Sequence, residues 1–110
     1  MPRLPQAVSV LRINPAFEQG SADRALGRWY FKVPGLFGGS KTKSVEYLKK
    51  SLTYDPNSIA SLYFLAETLL DMKRTDEARA TLQKVIDAPI DPDWAPEDRD
   101  FKRKAQALLK

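Results

Sequence analysis

Apolar residues recur along this chain at intervals of three and four, the period of a helix that buries one stripe. The clearest stripe is Ile59, Leu62, Tyr63, Leu65, Ala66, Leu69 and Leu70, with Asn57 or Ser58 placed to cap it. The next is Ala78, Leu82, Val85 and Ile86, with Asp76 as its cap and Pro89 as its stop. Upstream, Ser44, Val45, Leu48, Ser51 and Leu52 keep the same spacing and end near Asp55-Pro56. Ala22, Leu26 and Tyr30 mark an earlier helix, broken by Val33-Pro34-Gly35. Phe101, Ala105, Leu108 and Leu109 mark the last one. Pro96 suits its first position, and Glu97 and Asp98 its first turn, where the helix dipole favours negative charge. A short helix over 6–13 is expected before Asn14-Pro15. Sustained apolar–polar alternation, the strand signal, does not occur. The pattern therefore predicts an all-α fold of five to six helices. The expected core is Leu26, Tyr30, Leu48, Leu52, Leu62, Leu65, Ala66, Leu69, Ala78, Leu82, Val85, Ala105 and Leu108.

The stripes repeat. Ser44, Leu48 and Ser51 recur as Ala78, Leu82 and Val85 after a shift of 34 residues. The helices before them agree as well, Leu26-Gly27-Arg28-Trp29-Tyr30 against Leu65-Ala66-Glu67-Thr68-Leu69. A Gly or Ala in such a row lets two helices approach closely, and the larger neighbours fill the space beside it. Five extra residues separate the helices of the first unit, within 33–39. The period and these residues resemble the tetratricopeptide (TPR) repeat, a helix–turn–helix unit. The likeness implies a single domain, a short right-handed stack of antiparallel helix pairs. Its parts would be a partial unit over 7–19, a first unit over 20–56 with an expanded loop 33–39, a second unit over 57–90, and a capping helix over 96–109. Asp23 and Leu62 stand where the usual repeat has an early aromatic residue. Asn14-Pro15, Gly20, Arg24-Ala25-Leu26-Gly27-Arg28, Tyr30, Pro34 and Gly38-Gly39 together resemble bacterial TPR-like proteins related to the T component of TRAP transporters. That resemblance implies a non-enzymatic, oligomeric protein that docks a protein partner or a solute-binding protein. It would be periplasmic if a leader had been removed, and cytoplasmic otherwise.

Composition narrows the chemistry. The 110 residues include no His and no Cys. This excludes a Ser-His-Asp triad, a Cys nucleophile, the usual zinc sites and any disulfide. No apolar run approaches the ~20 residues that cross a bilayer. The net charge of +4 is uneven, +6 over residues 1–50 and −2 over 51–110. The basic runs Lys49-Lys50 and Lys102-Arg103-Lys104 sit at helical spacing and are expected as solvent faces, without nucleic-acid binding. Gly35–Thr42 imitates a phosphate-binding loop, but Ser40 stands at its second Gly and no strand precedes it. Asp91-Pro92-Asp93 begins a calcium-loop pattern that Ala95-Pro96 breaks. No catalytic residue, cofactor or metal is expected.

What remains is a binding face. In stacks of this kind the first helices of successive units line a concave groove. Arg24, Arg28 and Phe31 from one such helix, and Tyr63 and Glu67 from the next, are the candidate groove residues for a protein or peptide partner. Arg24 and Arg28 lie one turn apart and could clamp a carboxylate. In the competing arrangement Arg28 pairs with Glu67 as scaffold. Trp29, Leu36 and Phe37, with Trp94, either pack together or on residues 6–13, or form an exposed patch for a partner or for self-association. An apolar pocket beside Phe31, Phe37 and Tyr63, binding a lipid-like small molecule, is the alternative function.

Overall fold

The computed structural model describes residues 15–110, with side chains from Gly20 onward. Five helices follow one another: α1 (Pro15–Lys32), α2 (Lys41–Tyr54), α3 (Ile59–Asp71), α4 (Thr75–Asp87) and α5 (Ala95–Leu109). Short 3-10 turns at Gly35–Phe37 and Pro92–Trp94 lie in the first and last connections. No strand occurs among the described residues. The expected helix over 6–13 lies outside them. The expected boundary at 19/20 falls inside α1, which runs unbroken through Gly20.

Each helix packs on the next, α1 on α2 and α3 on α4 most extensively. In addition α3 touches both α1 and α5. So α1, α3 and α5 form one layer and α2 and α4 the other, as successive helix pairs in a stack do. The result is a slab of 47 × 37 × 20 Å. α5 occupies the place of the first helix of a third pair.

Local chemistry sets the helix ends. Ser40 Oγ accepts from Lys43 N to start α2, and Ser58 Oγ accepts from Ser61 N to start α3. Asp76 does not cap α4. That helix starts one residue earlier, at Thr75, so Asp76 and Glu77 sit in its first turn and act on its dipole instead. α4 ends at Asp87, where Ala88, preceding Pro89, is extended. Its last carbonyls are taken by Lys102, whose Nζ donates to Val85 O, Ile86 O and Ala88 O at 2.8, 2.6 and 2.5 Å. Lys102 therefore belongs to the scaffold and not to a solvent face.

Two apolar clusters form the core. Ile59, Leu62, Tyr63, Ala66, Leu82, Val85 and Ala105 join α3, α4 and α5. Val45, Leu48, Leu65, Leu69 and Ala78 join α2, α3 and α4. Gly27 meets α2 closely: a Cβ there would lie 2.7 Å from Leu48 Cγ and 3.2 Å from Ser44 O. Between α2 and α3 runs a buried hydroxyl seam, Ser44 to Thr68 at 3.1 Å and Ser51 to Ser61 at 2.9 Å. Ser51 also donates to Gly20 O at 2.7 Å, tying in α1.

The core expectation fails at two ends. Leu26 and Leu108 are exposed. Leu26 shares its exposed flank of α1 with Trp29, and Leu108 lies in the last turn of α5. Tyr30 and Leu52 are half-buried, Tyr30 stacking on Tyr47 with ring centroids 5.5 Å apart.

Candidate functional site

The layer of α1, α3 and α5 carries a continuous row of rings and charges. Arg28 on α1 reaches across to α3, where its Nη1 bonds Glu67 Oε1 at 2.5 Å. Its guanidinium carbon lies 4.3 Å from the centre of the Phe64 ring and 5.3 Å from that of Phe31. Phe64 in turn meets Phe101 of α5 edge-on at 5.6 Å. Lys104 Nζ, one turn further along α5, lies 5.9 Å from the Phe101 ring centre. The sequence of contacts Phe31–Arg28–Phe64–Phe101–Lys104 thus spans three helices. Its aromatic members are only half-buried.

Beyond this row a cleft of about 230 Å³ opens between α1, the α2–α3 connection and the start of α5. Arg24, Asp55, Ile59, Trp94, Glu97 and Phe101 line it. Burial pushes the Arg24 guanidinium below its ordinary value, and the opposing Asp55 carboxylate partly offsets this. Tyr63 sits beneath the row, tilted against Phe101 at 5.1 Å and only 8% exposed. Burial first, and then the Glu67 charge, push its phenol up. Nearby Asp100 is held below its ordinary value, chiefly by the Lys104 hydrogen bond.

Of the candidate groove residues, Arg28, Phe31 and Glu67 come together as one cluster. Arg24 lines the cleft, where Asp55 faces it. Arg28 has taken the competing arrangement and is paired with Glu67. Tyr63 is core lining beneath the groove rather than its surface. Sequence reasoning missed Phe64, which sits next to the expected inward position and reaches both flanking helices. It also missed Phe101 and Lys104, because α5 was read only as a cap. The apolar spacing of Phe101 was visible, but its partner across α3 was not.

Trp29, Leu36, Phe37 and Trp94 all lie at the surface, Leu36 89% exposed and Phe37 72%. Packing of Trp29 on residues 6–13 lies outside the described residues. Among the described residues no group of three or more acidic side chains is arranged to hold a metal ion, and no helix is long and apolar enough to cross a membrane.

A family model described as tetratricopeptide repeat matches residues 42–109, more than half of the chain. No curated protein and no solved structure matches it.

Proposed function

Because the chain belongs to the tetratricopeptide-repeat family, we propose that it is a non-catalytic scaffold whose α1–α3–α5 face receives a peptide segment of a protein partner. The observation that supports this most is the half-exposed row from Phe31 to Lys104, which crosses all three helices. Rings present flat apolar area at low entropic cost, and the flanking cations add charge recognition. The Arg28–Glu67 pair holds the Arg28 plane over Phe64, so the row is organised before a partner arrives. Arg24, Trp94 and Glu97 continue the face as a slot for one further side chain. Accessory work beside a solute importer is a finer form of the same reading, carried by the Gly20 to Gly39 pattern alone.

Selection of displayed peptides on the full chain, followed by calorimetry, tests it. Phe64→Ala should weaken a selected peptide by about ten-fold or more, as truncating a central aromatic anchor does. Leu36→Ser, away from the row, should leave the affinity unchanged. Equal affinities for wild type and Phe64→Ala would move the binding surface elsewhere.

A further inference from the structure

Leu36 and Phe37 form the tip of the α1–α2 connection, on the 3-10 turn Gly35–Phe37. Trp29 stands half-exposed beside them, its ring edge 3.7 Å from where a Gly38 Cβ would be. The backbone of this turn is well determined by its own bonds. Phe37 N and Gly39 N donate to Pro34 O, Gly38 N to Gly35 O, and Ser40 N to Tyr30 O. Gly38 takes a φ of 101°, and a Cβ on Gly39 would fall 1.6 Å from Val33 O. The fold therefore holds two large apolar side chains outward on a built turn. Solvated turns rarely carry such residues without an occupant.

Charge around the tip indicates the occupant. Lys32 ends α1, and Lys41 and Lys43 open α2. Lys43 Nζ lies 5.4 Å from the Tyr30 ring centre. Lys41 pairs with Asp71, which brings the α3–α4 turn, with Lys73 and Arg74, to the same edge. At the opposite edge the α2–α3 and α4–α5 connections carry Asp55, Asp91 and Asp93, beside Asp87 at the end of α4 and Glu97 in the first turn of α5. The tip edge thus carries Lys32, Lys41, Lys43, Lys73 and Arg74 against Asp71, Asp76 and Glu77, a net positive balance, while the connections at the other edge carry carboxylates and no Lys or Arg.

We propose that the Leu36–Phe37 edge docks on an anionic lipid surface. Leu36 and Phe37 enter the boundary between headgroups and acyl chains, and Lys32, Lys41 and Lys43 lie against the anionic headgroups. Trp29 takes the interfacial depth that indole rings favour. A protein groove could accept the two apolar side chains, but the net positive surround of this edge and the acidic connections at the far edge suit a broad anionic surface. This surface is separate from the α1–α3–α5 row, so either assignment can fail without the other.

The test is co-sedimentation of the full chain with vesicles of phosphatidylcholine, with and without phosphatidylserine. The chain should sediment with the anionic vesicles and stay in solution with the neutral ones. Leu36→Ser/Phe37→Ser and Lys32→Glu/Lys43→Glu should each lower partitioning about ten-fold or more. Raising salt should weaken binding through the lysines. Thermal melts of both variants should stay close to wild type, since Lys32, Leu36, Phe37 and Lys43 are all exposed. Absence of binding to the anionic vesicles would overturn the proposal, as would equal partitioning of wild type and variants. A concentration-dependent dimer abolished by Leu36→Ser/Phe37→Ser, without vesicle binding, would overturn it in favour of a second copy as the occupant.

Discussion

At the scale of single residues, two positions set helix contacts that no neighbour can replace. Gly27 lies against Leu48 and the Ser44 carbonyl, with no room for a side chain. Gly27→Leu should overpack this crossing and cost about 1–3 kcal/mol in urea unfolding. Gly35→Ala, with nothing within 4 Å of its Cβ, serves as the control and should change little. Lys102 closes three carbonyls at the end of α4. Lys102→Met keeps the aliphatic stem and removes the donor. It should lower stability by about 1–3 kcal/mol, because the freed carbonyls are partly buried. Wild-type melting of that variant would mean that water caps the helix equally well. The Gly27 contact was legible in the sequence, since a Gly followed by Arg-Trp-Tyr in a helical stripe needs a close neighbour. The Lys102 contact was not, because a lysine on an amphipathic helix reads as solvent-facing until its partner's carbonyl ends are placed.

At the scale of elements, capping and one charged staple fix where helices begin. Ser40→Ala and Ser58→Ala each remove a side-chain acceptor at a helix start and should cost about 1 kcal/mol by thermal unfolding. Glu77, in the first turn of α4, joins Arg74, the residue just before that helix, to Lys49 of α2. Hydrogen bonds from Arg74 and then Lys49 hold its carboxyl below the ordinary value of 4.5. The folded form therefore stays ionised where the unfolded chain has begun to take up a proton. This contribution is complete above the ordinary value and is lost as pH falls through the lowered one. Melting temperature should drop on acidification from about pH 5 downward, and more gently in Glu77→Gln. An identical slope in both proteins would remove Glu77 from the account. Element type was legible almost throughout, because each stripe is long enough to show its period. The first unit was expected to open at residue 20, and Gly20 lies within α1 with its bare Cα beside Tyr54 and Ser51. Of the site, the Arg28–Phe31–Glu67 cluster followed from repeat positions. Phe64 and Phe101 did not, because which flank of a helix meets its second neighbour is decided only when all three helices are assembled.

At the scale of the whole molecule, α5 shares an apolar cluster with α3 and α4, so the last helix is not an appendage. Ala105 and Phe101 of α5 pack into the cluster that contains Ile59, Tyr63 and Val85. Ending the chain at residue 90 should expose that cluster and abolish a single cooperative urea transition. A truncated chain with an unchanged transition would show that the two pairs suffice. The hydroxyl seam has a consequence of another kind. Its partners stand seven residues apart on α2 and seven apart on α3, matched in antiparallel order. Leucines would tolerate sliding, because one greasy contact resembles the next, but hydroxyl pairs do not. If α2 slipped one turn along α3, Ser44 and Ser51 would both lose their α3 mates in a buried interface, while Thr68 and Ser61 would keep only their bonds with Phe64 and Ser58. The first and second units are therefore keyed to a single alignment, much as teeth on a ratchet admit one position, and the placement of α1 beside α3 is inherited from that key.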